Sequence, residues 1–510
     1  MDYLHSPGFA SRVEELMKKN HVPGLAVAIL EGERTFSAGY GFASLDPPRP
    51  CTSDTLFDIA SSSKSMTAAS VGLLVRDDER YPEVQYDAIM SSLLPGDFVM
   101  PGQGYTEGVT VEDILSHRTG MPRHDDSYLN RHAAQPDNAR SVTRNLRNLT
   151  ISAPIRTQYR YCNMMYTVAA YLVGEKSGQP FADFLQQRFF APLGMSSTHL
   201  QPTRARSFGL GDRIATGYAW NKEDERYASL EARDCVEGEG AGSIITSVND
   251  YLKWVRALLY REHPIDEEVY KGLVRMRTFT SPDPERREPM TSPVAYAAGL
   301  EIFYYRGHMV VGHDGGVSGF GSRHFFLPEL RLGGAIFGNS SDAADVATIL
   351  SRELIDEVLG VPAAERPDWE KVVSGAGADD SEFAQGGPKE TEMRRALREA
   401  SEPQKTPLAA YAGEYWNPGY RGMTVVVKDG ELYVDARDRA MGYSLTFHHV
   451  RGQTEYIVRL RPFEYDDEEL LAAEFRFRND RVVKMGIELE ADELIWFDRV
   501  EEKEEESSSK

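Results

Sequence analysis

The strongest constraint on this chain is where its strand-like segments fall. The stretch "PGLAVAILEGERTFSAGYG", residues 23–41, reads as a β-hairpin, two apolar runs joined at Glu31-Gly32-Glu33. From Ser61 to about residue 290 the pattern is mostly helical, with long polar connections. Strand-like runs then return as "YAAGLEIFYY", "HMVVGHDGG", "SRHFFLPE" and "LGGAIFGN" between residues 294 and 339. Strands at both ends with helices between them predict one antiparallel sheet assembled from both ends, with an all-helical region inserted between its halves. A helix over residues 8–19, with Phe9, Val13, Leu16 and Met17 on one side, would cover that sheet. So would a second helix, "DAADVATILSRELIDEVLG", which Gly360 stops.

Residues 361–405 are polar and rich in Gly, Pro and charge, and read as a linker with one helix near Glu390–Glu399. From residue 406 to 500 the chain alternates as strands, with hairpin turns at Asp429-Gly430 and Asn479-Asp480. The simplest reading is an all-β up-and-down barrel. Residues 501–510, "EEKEEESSSK", read as a disordered acidic tail. The expected organisation is therefore an α+β domain over 1–360, a linker, a barrel and a tail.

At 510 residues, 41% hydrophobic and 27% charged, the chain has ample length to bury two cores. A net charge of −22 argues against nucleic acid or an anionic membrane surface as partner. Cys51, Cys162 and Cys235 are too scattered for a disulfide framework, and no Cys/His spacing suits zinc. The first residues lack the pattern of a signal peptide, and no apolar run is long enough to span a bilayer, so a cytoplasmic location is expected.

Ser-Ser-Ser-Lys occurs twice, at Ser61–Lys64 and at Ser507–Lys510. At the first, Ser61 and Lys64 share one face of a helix that opens after the apolar "LFDIA". A lysine takes a serine proton only as a neutral amine, so burial and a neighbouring cation or tyrosine must bring its pKa far below the ordinary range. The first copy can offer that; the second follows a run of glutamates and desolvates nothing. Alone, Ser61 also reads as a helix cap with Lys64 on the surface. Two companions favour chemistry. Tyr161 and Asn163 stand just before a long helical pattern ending at Gly178, where the tyrosine can shuttle protons and the asparagine can bind a substrate amide or steady the lysine. A packing tyrosine with a capping asparagine is the structural alternative. Tyr128-Leu129-Asn130 repeats the spacing with no apolar helix behind it. His313-Asp314-Gly315-Gly316 ends a strand, where Gly315 and Gly316 let a substrate lie along the strand edge and a backbone N–H point inward. A structural histidine in a glycine turn is the alternative there.

In this order the three motifs resemble the serine hydrolases that include penicillin-binding proteins and class C β-lactamases. The resemblance spans residues 8–360 and extends to "LSHRTGMPRHD", "PLGM", "GAGSIITSVNDYLKW" and "GHDGGVSGF". It implies a helical region beside an antiparallel sheet, with Ser61 as acylated nucleophile, Lys64 as its base and Tyr161 as second acid/base. Asn163 would contact a substrate amide, and the N–H groups of Ser61 and Gly316 would form the oxyanion hole. His313 stands where a lysine is usual. Being mostly neutral at pH 7, a histidine holds a carboxylate less firmly, so β-lactamase and cell-wall carboxypeptidase activities are demoted. Relatives with His-x-Gly look like esterases, D-aminopeptidases and acyltransferases. "YAGEYWNPGYRGMTVVVKDGELYV" resembles a lipocalin-like C-terminal domain found in some relatives. The expected function is hydrolysis of an ester, thioester or amide in a small molecule or peptide, without metal or organic cofactor. Two alternatives stand beside it. One is an acyltransferase or cyclase drawing on a carrier-bound acyl donor; the other is a catalytically inactive binding protein.

Overall fold

The computed structural model describes residues 1–281, 283, 287–379, 388–398, 402–464, 468–490 and 493–501. The tail from residue 502 lies outside them. The chain divides into two compact units: residues 1–123 with 137–377, and residues 124–136 with 378–510.

The first unit is built on a nine-stranded antiparallel sheet. Its middle is the seam between the chain's two ends. Strand Gly24–Glu31 pairs with Arg34–Leu45 on one side and with Leu332–Gly338 on the other, in the register Leu25↔Gly338 to Glu31↔Leu332. Strands Phe320–Leu327, His308–Val317 and Glu301–Tyr305 follow outward. The sheet edges, Pro48–Pro50 and Thr278–Phe279, are too short to show a period of two in the sequence.

One face of the sheet packs under helices Pro7–Lys19 and Ala343–Val358, burying Phe9, Val13, Leu16, Val27, Ile29, Phe325, Ile336, Val346 and Leu350. The first of these helices starts where Ser6 accepts from the Phe9 N–H and proline occupies the first turn. Trp369, in the stretch read as linker, is 2% exposed and belongs to the same core, its Nε1 donating to Asp356 at 2.9 Å. A lone tryptophan among charged residues gives no periodic signal, which is why the sequence does not announce the helix Trp369–Asp379.

Against the other face lies helix Val248–Tyr260, and helix Lys64–Arg76 is joined to it through Ser65. Trp254 is buried there with its Nε1 on Ser65 Oγ at 3.1 Å. The inserted region is mostly helical and also carries two small sheets, one of Phe57–Asp58, Ile244–Thr246 and His199–Leu200, the other a hairpin of Gly217–Asn221 and Arg226–Leu230.

The second unit is a closed antiparallel barrel of eight strands in sequence order. Both expected hairpin turns are present, with φ of +53° and +83° at Asp429 and Gly430 and +51° and +58° at Asn479 and Asp480. The strand that sequence patterning misses is Gly413–Asn417, which closes the barrel by pairing with Glu493–Arg499. The interior is packed with side chains: Tyr411, Tyr415, Phe447, Tyr456 and Phe475 meet edge to face or tilted at 5.0 to 6.4 Å between ring centres.

Residues 124–136 run beside the barrel loop at 437–440. Leu129 bridges Arg439, the Asn130 N–H donates to Asp438 O at 2.8 Å, and Asn130 Nδ2 donates to Arg437 O and Arg439 O. The second Tyr-x-Asn therefore lies in a strap whose asparagine is spent on backbone carbonyls. Among the described residues no helix is long and apolar enough to cross a membrane.

Candidate active site

Ser61 sits in the 3₁₀ turn Ala60–Ser63, between strand Phe57–Asp58 and helix Lys64–Arg76. The turn is held from several sides. Asp58 Oδ1 accepts from the Ala60 N–H at 2.8 Å, Ile59 N donates to Ile244 O, and Ser322 Oγ donates to Ile59 O at 2.7 Å. Ala60 adopts φ +44°, a strained conformation for a residue with a Cβ, immediately before the serine. Burial pushes the Asp58 carboxyl up to about 6.

The helix begins at Lys64, which turns its side chain inward and is 0% exposed. Its Nζ lies 2.8 Å from each of Ser61 Oγ, Asn163 Oδ1 and Ala241 O. It also lies 4.9 Å from the centre of the Tyr161 ring and 5.5 Å from that of Tyr166. Asn163 Oδ1 and a carbonyl can only accept. A neutral amine here gives its two protons to those acceptors and keeps its lone pair for the Ser61 hydroxyl.

Tyr161 and Asn163 flank Cys162 at the start of helix Asn163–Ser177. The Tyr161 hydroxyl donates to Ser61 Oγ at 2.8 Å, and the Arg123 guanidinium stands 4.7 Å above the tyrosine ring. Ser61, Lys64, Tyr161 and Asn163, expected from two separate motifs, are thus one hydrogen-bonded cluster.

His313 lies on strand His308–Val317, which approaches the serine closely. A Cβ at Gly315 would fall 2.2 Å from Ile59 O and 3.0 Å from Ser61 N, so only glycine fits. At Gly316 an added Cβ would meet nothing within 4 Å, and both Gly316 and Val317 are exposed, leaving that strand edge open. Ser62 Oγ donates to His313 O at 3.1 Å, pinning strand to turn.

The His313 ring itself is 6% exposed. Its Nδ1 lies 2.5 Å from Asp314 O, a pure acceptor, so Nδ1 carries the proton and Nε2 accepts from the Tyr296 hydroxyl at 2.9 Å. Burial pushes the imidazole down to about 3, so it is neutral at working pH. The sequence reading gave His313 a substrate contact. In the structure both ring nitrogens are engaged within the protein, and a direct ring contact with substrate requires breaking one of those bonds.

Three participants escape the motif reading. Ala241 contributes only a carbonyl, and Tyr296 reads as an apolar strand residue. His117 sits against Tyr161 with ring centres 4.3 Å apart. The phrases "GAGSIITSV" and "LSHRTGMP" were the available pointers to the first and last of these.

Residues 9–358 match the family model described as "Beta-lactamase", and residues 397–499 match one described as "Domain of unknown function (DUF3471)". The chain is 34% identical over 507 residues to the "Unguisins hydrolase ungD'" of Aspergillus campestris (strain IBT 28561), covering 96% of this chain and 91% of that protein. It is 26% identical over 499 residues to the D-aminopeptidase of Brucella melitensis biotype 1, covering 93% and 86%. Among solved structures, the octameric penicillin-binding protein homologue from Pyrococcus abyssi shares the fold, with a TM-score of 0.60, 19% identity and coverage of 96% and 99%.

Proposed function

This chain belongs to the β-lactamase family, and from that premise we propose that it is a serine hydrolase opening an amide bond of a small-molecule or peptide substrate through an acyl-enzyme on Ser61. The observation that carries the reading is that Ser61 Oγ lies 2.8 Å from both the Lys64 amine and the Tyr161 hydroxyl. Neutral Lys64 takes the Ser61 proton as Oγ bonds to the substrate carbonyl carbon. The oxyanion that forms is held by the N–H groups of Ser61 and Gly316. The C–N bond then breaks, Tyr161 hands a proton to the departing amine, and Lys64 restores the tyrosine proton. Water attacks the resulting ester, the acid leaves, and Ser61 regains its hydrogen. With Oδ1 committed to Lys64, Asn163 meets substrate through its NH₂ group as a donor.

Amide rather than ester chemistry is favoured by the names of the two curated relatives, one a hydrolase of unguisins and the other a D-aminopeptidase. The neutral His313 offers no fixed cation, which argues against a substrate held by a free carboxylate. The test is intact-mass detection of a fluorophosphonate adduct on the wild-type chain and on Ser61→Ala. The adduct should be stoichiometric in the first and lost in the second, with the fold retained by circular dichroism. An adduct that persists in Ser61→Ala removes the proposal.

A further inference from the structure

His117 follows the short helix Val111–Leu115 and is 0% exposed. It adopts φ +54°, a left-handed conformation that a residue with a Cβ holds only under constraint. The constraint shows in its bonds. Its carbonyl accepts from the Arg160 N–H at 2.7 Å, and its Nδ1 accepts from the Cys162 N–H at 3.0 Å. One residue thus holds the N–H groups of both neighbours of Tyr161, Arg160 and Cys162. The imidazole also packs on the Tyr161 ring, tilted by 35°. Tyr296, Tyr166 and Tyr159 complete its surroundings, with ring centres 4.7, 5.2 and 5.7 Å away.

Because Nδ1 accepts, the ring proton resides on Nε2, which is buried with no hydrogen-bond partner. That N–H is left among aromatic rings, a weaker arrangement than a conventional bond. The side chain therefore gives up satisfaction at one nitrogen while the other stays on the Cys162 amide. Burial holds the imidazole well below its ordinary range, which agrees with Nδ1 acting as the acceptor of the Cys162 N–H.

We infer that His117 is the positioning residue for Tyr161: it sets the place of the phenol oxygen over Ser61 by clamping the backbone before and after it. The inference rests on the reading of Tyr161 as the second acid/base. It assigns His117 no contact with substrate.

Asparagine can place an amide oxygen where Nδ1 stands and tolerates a positive φ, whereas phenylalanine keeps a ring and offers no acceptor. The experiment measures kcat and KM for amide hydrolysis by wild type, His117→Asn, His117→Phe and His117→Gln, each normalised to the sites that bind a fluorophosphonate at long times. His117→Phe should lose about 10- to 100-fold in kcat per labelled site with KM changed less than about 3-fold, since a small misplacement of a reacting group costs rate rather than binding. His117→Asn should stay within about 3-fold of wild type in kcat. Should phenylalanine prevent folding, glutamine serves in its place, because its oxygen reaches one methylene too far; it should fall at least about 10-fold below asparagine. Wild-type kcat in His117→Phe, or an asparagine variant as impaired as the phenylalanine or glutamine one, overturns the inference. Failure of wild type to label at Ser61 instead overturns the catalytic reading beneath it.

Discussion

The catalytic unit holds Tyr161 half-buried and the barrel buries Tyr411 and Tyr415, and the two units use the hydroxyls in opposite ways. In the barrel, Tyr411 OH donates to Gln453 O at 2.7 Å and Tyr415 OH to Tyr411 O at 2.6 Å. Each proton ends on a backbone carbonyl, which does nothing but accept. In the catalytic unit, Tyr161 OH points at Ser61 Oγ, which in turn faces the Lys64 amine. Groups that can each give or take a proton are set against one another. Sheltered polarity becomes chemistry when partners are exchangeable and becomes structure when they are not.

Removing one oxygen from each region is the direct way to break that comparison. Tyr161→Phe should lower kcat by about 10²- to 10⁴-fold, the usual worth of a positioned acid or base, with little change in thermal midpoint. If kcat were unchanged in steady-state assay, Tyr161 would be packing like its barrel counterparts. Tyr415→Phe should instead cost about 1 kcal/mol of stability, read in urea unfolding, by leaving a buried carbonyl unsatisfied, and should leave kcat alone.

A smaller effect separates the units by pH. In the second unit, Asp126 is half-buried beside Glu469, Asp125 and Glu490, with Arg439 as the opposing charge, and its carboxyl is pushed up to about 8, chiefly by burial. A carboxyl raised above its unfolded value of about 3.9 gives stability that is fully present below that pH and is lost as pH rises toward 8. Asp126→Asn should therefore flatten the decline between pH 4 and 8. The expected gain, allowing for solvent screening, is about 1 kcal/mol at pH 8 and none at pH 4. A wild-type slope that survives the substitution would assign the titration to another group.

Much of this was legible in the sequence because the relevant signals are local. The hairpin at residues 23–41, the strands around 301–338 and the turns at Asp429-Gly430 and Asn479-Asp480 each declare themselves within a few residues. Ser61, Lys64, Tyr161 and Asn163 sit at helix starts, where an apolar run marks the junction. What stayed hidden is set by distant partners. Gly413–Asn417 becomes a strand because Glu493–Arg499 lies beside it. Trp369 is core because Asp356 and the helix Ala343–Val358 receive it. His117 looks like any histidine in a loop until Arg160 and Cys162 are brought to it. The grouping of residues 124–136 with the barrel rests on distant partners, the backbone carbonyls at 437 to 439 and the side chains of Tyr420 and Glu490 that meet His124.

That strap has a consequence for how the molecule can be dissected. The chain passes from one unit to the other at residues 123/124, 136/137 and 377/378, so a single protease nick after residue 377 severs only one of three covalent threads. A truncation at residue 405 likewise strips Asn130 of the carbonyls it binds and leaves a polar loop with its partners amputated. The barrel is laced into the chain rather than hung from its end, and a shortened gene product is a differently wired molecule.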